Sequence, residues 1–419
     1  MSFLARPLYA AAFVLFFAVP VEAQQTLSLA QAQSLAVARS QQLAAYDSGS
    51  KAAREMAVAA GQLPDPVLKV GIDNLPVNGP DRLSLSRDFM TMRRIGLMQE
   101  LTGRDKRDLK VERSLQDARR IEAERALAAA NVRRETALAW LERYNGQLVL
   151  DLVHEQANEV RLQIQAAETS YRNGRGSQAD VFAARAAMAA LEDRMQQTER
   201  QVRSGRIMLA RWIGGAEASR PLDVPGLDEA APQWQVHDAD RHPQIAVLRA
   251  QLRAAETEVK QAGANTRPDW TVEAAYQQRG GAYSNMVSIG LSVPLQLDRA
   301  NRQDREVAAK LAAQEQARAR LEDAVAAHEG EVAVASNDWQ SGSQRAARLR
   351  AELLPASALR VQAVLTAYRS GKADLASVLT ARRDEIDARI QLLTLEGDTA
   401  RLGAQLDYLT ATTQRSEQP

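Results

Sequence analysis

The 419-residue chain contains no cysteine. That excludes disulfide staples, thiol chemistry and attachment through a lipidated N-terminal cysteine. After Ala23 it also lacks any apolar run long enough for a spanning helix, so a membrane segment here must be built from strands. Charge of one sign is scarcely in excess, the formal net charge being +1 at pH 7. A nucleic-acid binder would show a basic excess or patch, so nucleic acid is not an expected partner. The histidines, His154, His237, His242 and His328, are scattered and form no His-x-x-x-His pair. A dedicated zinc site wants three or four converging ligands. No Ser-His-Asp constellation can be argued from them. The stretch NGRGS at 173–177 lacks both the Gly-Lys-Ser/Thr ending and the preceding strand of a phosphate loop. No enzyme activity, cofactor or structural metal is expected.

What is present begins with an export signal. Arg6 gives a positive start, an apolar core runs from Leu8 to Val21, and the stretch ends in a small residue at Ala23. This pattern reads as a signal peptide over residues 1–23, with the mature chain starting near Gln24. The core is shorter than the roughly 17 to 25 residues of a spanning helix.

The rest of the chain is written twice. SYRNGRGSQADVFAARAAM at 170–188 returns in altered form as AYRSGKADLASVLTARRDE at 367–385, with Tyr171, Arg172, Gly174 and Val181 recurring as Tyr368, Arg369, Gly371 and Val378 at one spacing of 197. The two corners, 171–177 and 368–374, interrupt long tracts of helical sequence, about 105–170 and 302–367. Each tract would reach roughly 100 Å if helical throughout. Gly342 and Pro355 predict a bend or local disruption in the second tract. A shorter helix is expected after each corner, about 178–212 and 375–409, and another before each long tract. Of the latter pair, 27–59 is expected to be strained or interrupted around Gly49, and 243–262 is its counterpart. Most of the breakers between the halves lie in 213–234, which reads as an external loop. The organisation is therefore a first repeat at 24–212, a connecting loop at 213–235, a second repeat at 236–409 and a disordered tail at 410–419.

Between short and long helices the period changes from helical to alternating. In the first half (about 66–102) Leu68, Val70 and Ile72 alternate with Lys69, Gly71 and Asp73, and Ile95, Leu97 and Leu101 with Arg94, Gly96 and Glu100. In the second half (about 269–296) Val272 alternates with Thr271 and Glu273, and Val287, Ile289, Leu291 and Val293 with Ser288, Gly290 and Ser292. Four strands in two hairpins leave open edges. A lipid-facing barrel must be closed, so several chains would have to share one. On pattern alone, two soluble hairpins on a helical scaffold stay open as the other reading, and a helical envelope rod explains the helices without the hairpins. Met90, Met92 and Met98 are evenly spaced, and thioethers are soft metal ligands. Methionine is also an adaptable packing residue, which is the favoured reading.

The duplicated halves, the hairpin placement and the two corners resemble the outer membrane factors of tripartite efflux and type I secretion, the TolC family. The likeness is strongest at Tyr171-Arg172-Asn173-Gly174 with Asp180-Val181, and at Tyr368-Arg369-Ser370-Gly371 with Val378-Leu379. Stretch 63–101 looks most like the heavy-metal branch, the cobalt-zinc-cadmium and copper-silver components. The resemblance implies a mainly α fold with a small membrane β part: a homotrimer whose helical periplasmic barrel continues into a shared twelve-stranded outer-membrane β-barrel. It further implies a periplasmic adaptor, an inner-membrane RND pump and outer-membrane lipid as partners, with energy supplied by the pump. Some members of that branch carry a lipidated cysteine; this chain has none and is not expected to be lipid-anchored. Drug efflux or type I protein secretion are alternative cargoes.

The corners become the entrance tips in this picture. A network among Tyr171, Arg172, Arg175, Asp180, Tyr368, Arg369, Lys372 and Asp374 would hold the resting entrance shut, with adaptor contact at grooves beside Gly174 and Gly371. Where relatives place a constricting aspartate pair past the second corner, this chain has Ser377 and Thr380.

Overall fold

The structure, a computed structural model, describes residues 26–224 and 239–411. The leader 1–23, His237, the stretch 225–238 of the connecting loop and residues 412–419 of the tail lie outside the described residues. The first half runs α1 (Leu29–Arg39), α2 (Gln41–Ala60), β1 (Val67–Asp73), β2 (Met92–Leu101), α3 (Arg104–Arg172) and α4 (Gln178–Ile213). The second half repeats the order with α5 (Pro243–Asn265), β3 (Trp270–Gln278), β4 (Met286–Ser292), α6 (Gln303–Arg348), α7 (Leu354–Arg369) and α8 (Leu375–Leu409).

No globule could enclose rods this long, and none forms. Buried side chains follow the helix seams in separate clusters, many of them alanine, which lets backbones approach closely. The cluster around Trp140 joins α1, α3 and α4 through Ala32, Ala36, Val132, Leu141, Leu209 and Ile213. There the indole N–H donates to the Leu27 carbonyl at 3.1 Å.

Three expectations are corrected. The first short helix breaks at Ser40, not around Gly49: Ser40 ends α1 and its hydroxyl accepts from the Leu43 N–H at 3.4 Å to start α2. A capping hydroxyl offers the backbone an alternative to continued helix, whereas one glycine costs a helix only about 1 kcal/mol relative to alanine. Gly49 accordingly sits inside α2.

The connecting segment is not wholly external. Its first part folds back on the core: Ala218 is fully buried, Leu222 bridges Leu27, and the Arg143 guanidinium donates to the Ala218 and Arg220 carbonyls, each at 2.8 Å. Small residues and breakers there make a tight return that backbone hydrogen bonds can satisfy.

In the second long tract only Pro355 disrupts the helix. A π turn at Leu349–Leu353 precedes it, where a proline lacking its N–H and crowding the carbonyl four residues back forbids regular α-helix. Gly342 stays helical; a Cβ there would lie 2.5 Å from Thr399 Oγ1, so the glycine permits close approach of α6 to α8. Among the described residues no helix is long and apolar enough to cross a membrane.

Candidate channel wall and entrance

The two hairpins are not separate. They join through β2 and β3 into one antiparallel sheet of order β1-β2-β3-β4. Register places Leu68 opposite Leu97, Leu97 opposite Ala274 and Ala274 opposite Ile289; the next apolar row is Val70, Ile95, Tyr276 and Val287. The middle of one face of the sheet is therefore a continuous apolar surface, with Arg93 and Gln99 on the same face towards its two ends. Most of it is open: Ile289 is 81% exposed, Val70 73% and Val287 72%, with Leu68, Ile72, Ile95, Leu97 and Leu291 also exposed. Val272 shares the face but is half-buried. Val293 departs from expectation, since β4 ends at Ser292 and Val293 lies just past it. Contiguous apolar surface of this kind marks an interaction with lipid or protein.

The other face is polar and internally paired. Lys69 Nζ lies 2.6 Å from Glu273 Oε2, Arg94 Nη1 lies 3.5 Å from Glu273 Oε1, and Arg94 Nε lies 3.3 Å from Asp73 Oδ2. Alternation in the sequence puts these residues on one face, but their pairing across three strands depends on register. Met92 and Met98 share this face with Arg94, while Met90 precedes the strand. Six residues of strand hold Met92 and Met98 roughly 20 Å apart, so the methionines do not converge on one ion. Among the described residues no group of three or more His, Cys, Asp or Glu is placed to hold a metal.

Both corners are built alike. At the first, the Gly174 N–H donates to the Tyr171 carbonyl at 3.0 Å and the Arg175 N–H to the Ser170 carbonyl at 2.9 Å. At the second, the Gly371 N–H donates to Tyr368 at 3.0 Å and the Lys372 N–H to Ala367 at 2.8 Å. These are paired Schellman closures. They need a residue at positive φ, which Gly174 (67°) and Gly371 (72°) supply. The recurring Tyr-x-x-Gly is thus a helix stop.

The next helix starts from a cap with its parts exchanged between repeats. Ser177 caps α4 with Asp180 reciprocating, the Asp180 N–H donating to Ser177 Oγ at 3.1 Å and the Ser177 N–H to Asp180 Oδ2 at 3.0 Å. Asp374 caps α8, accepting from the Ser377 N–H at 2.8 Å. Hydrogen bonds from the Ser377 side chain and backbone hold the Asp374 carboxyl below the usual carboxylate range. Both aspartates are engaged as caps. The tip cations Arg172, Arg175, Arg369 and Lys372 are exposed and form no ion pair among the described residues. Beneath them Ala167, Val181, Leu375 and Val378 form a buried cluster with Tyr368 packed against it, so the two corners are welded to each other; Tyr171 stays exposed.

The histidines are less scattered than their spacing. His242 and His328 stack with ring centroids 4.3 Å apart, both buried, and the Tyr408 ring meets His242 edge-on. His242 also caps α5, its Nδ1 accepting from the Gln244 N–H at 3.3 Å. No spacing signal marks this pair, because it forms between α6 and the start of α5. His154 is exposed on α3.

Residues 238–412 match the family described as outer membrane efflux protein. The second repeat of the chain is thus similar to that family. The chain is 26% identical over 251 residues to the cobalt-zinc-cadmium resistance protein CzcC of Cupriavidus metallidurans, a stretch covering 58% of this chain and 59% of that protein. The fold is shared more widely. The outer-membrane channel OprN superposes with a TM-score of 0.77 at 19% identity, covering 92% of this chain and 90% of that one. CusC, a protein that forms a transmembrane channel, gives 0.75 at 15% identity, covering 92% of each chain. The family match over 238–412 and the shared fold thus agree with the corners and hairpins from which the resemblance was read.

Proposed function

We propose that the chain is the passive outer-membrane exit duct of a tripartite efflux system, working as a homotrimer. The observation that carries this reading is the sheet. It has an exposed apolar face, an ion-paired polar face and two edges, β1 and β4, that pair with no further strand among the described residues. The edge strands run antiparallel to one another, so β4 of one copy can continue the ladder onto β1 of the next. Closure satisfies every backbone group, which lipid demands. Three copies would give twelve strands, the number the family resemblance implies. The helices would then enclose a periplasmic tunnel with the corners at its mouth, docked to an adaptor and an RND-type pump. Likeness to CzcC favours heavy-metal cations as cargo. Cross-linked envelopes should yield one discrete three-subunit species, and the purified protein should conduct in planar bilayers. A water-soluble, non-conducting monomer would defeat the reading and favour an envelope rod. Deleting the gene should raise sensitivity to cobalt, zinc or cadmium salts; raised sensitivity to drugs alone would reassign the cargo.

The entrance latch belongs to the same reading. Twelve uncompensated tip cations in a trimer would repel one another, and exposed pairs are worth only about 0 to 1 kcal/mol each, so closure would rest on a repeated network involving Tyr368 and Arg369. Combining Tyr368→Phe with Arg369→Ser should raise single-channel conductance with assembly unchanged. Parental conductance would leave the tips as docking surfaces.

A further inference from the structure

The polar face of the sheet is arranged around Glu273, and both of its carboxylate oxygens are occupied. Lys69 Nζ from β1 takes Oε2 at 2.6 Å and Arg94 Nη1 from β2 approaches Oε1 at 3.5 Å, while Arg94 Nε also reaches Asp73 Oδ2 at 3.3 Å. All the cations come from one side. On the other, β4 places Gly290 opposite Glu273 and Ser288 and Ser292 as the neighbours on that face, so β4 offers no cation of its own. Carboxylate oxygens are ordinary ligands for divalent cations, and a carboxylate already accepting from ammonium and guanidinium donors has its lone pairs engaged.

We propose that Lys69 and Arg94 are built-in counter-ions: they occupy the wall carboxylates Glu273 and Asp73 so that exported divalent cations cross the barrel without being retained. This rests on the duct reading above, with the polar face turned to the lumen and a metal cargo. It explains why the wall carries carboxylates and cations in register instead of neutral residues throughout: a paired lattice keeps the lumen wetted and polar while presenting little free charge. Glu100, two residues further towards the helices on the same face, has no ion-pair partner among the described residues and sets the baseline affinity of the parent wall.

The test is zinc block of potassium current through the full-length protein in planar bilayers. Lys69→Met combined with Arg94→Met should lower the half-blocking zinc concentration roughly tenfold or more, a change of about 1.4 kcal/mol per decade. Lys69→Met alone should fall between the double variant and the parent, and Lys69→Arg should keep the parental value. Adding both Glu273→Gln and Asp73→Asn to the double variant should return block to the parental concentration, with Glu273→Gln alone returning it part of the way, which a general loosening of the barrel would not do. Block of the charge-removed variants at the parental concentration, or failure of Glu273→Gln together with Asp73→Asn to restore it, would overturn the proposal. Current in zinc-free potassium chloride reports separately on the barrel. If the parent itself carries none, it is the duct reading that fails.

Discussion

Ile289→Arg is expected to prevent stable assembly of the sheet portion, while Ser288→Arg at the neighbouring position is expected to leave it intact. The two residues differ by one step of the pleat. Ile289 lies on the apolar face opposite Ala274 and is 81% exposed, whereas Ser288 lies on the polar face opposite Ala275. If the apolar face meets hydrocarbon, an arginine near mid-bilayer costs roughly 2 to 4 kcal/mol per strand, and a trimer carries three copies. On the lumen side the same guanidinium remains in water. The measurement is the fraction of heat-resistant oligomer recovered from envelopes for each variant beside the parent. Equal recovery of the two would show that the apolar face does not meet lipid.

Trp140→Ala should destabilise the helical part by about 3 to 5 kcal/mol, the range for emptying a buried aromatic site. Trp140 has no exposed surface and stacks on Tyr144 with centroids 5.3 Å apart. Its N–H donates to the Leu27 carbonyl at 3.1 Å, and Leu27 in turn bridges Leu222. The indole is therefore the point where α1, α3, α4 and the folded-back connection meet, and its loss leaves a cavity that long rigid helices cannot collapse to fill. Trp140→Phe should cost less, keeping most of the volume and losing mainly the hydrogen bond, worth about 1 kcal/mol net. Denaturant midpoints followed by helix circular dichroism, with protease sensitivity of the segment around Ala218, report the effect. A Trp140→Ala midpoint equal to the parent's would remove this cluster from the account of stability.

Both results bear on how much of the molecule was legible in advance. The long helices were, because absence of breakers and helical spacing are local properties and helix hydrogen bonds close within the segment. α8 runs Leu375–Leu409, as the sequence predicts, and α3 exceeds its predicted tract by a residue or two at each end. The facing of the strands was legible for the same reason: a period of two assigns each side chain to a face before any partner is known. The corners were found as a repeat, and the structure supplies their cause in the positive φ of Gly174 and Gly371. The break at Ser40 was missed in favour of Gly49, since a glycine is visible as a breaker whereas a serine caps only if its hydroxyl reaches the next turn.

The linear sequence by itself determined where helices run, where they must stop and which face of each strand is apolar, for these depend on residues within a few positions of one another. Only the tertiary structure decided that two hairpins form one sheet, that Lys69 finds Glu273 across 204 positions, that His242 stacks on His328, and that Ala218 returns to the Trp140 core. Each of those contacts joins segments far apart in the chain. Strand register and helix packing select such partners, and neither is written in any single stretch of residues.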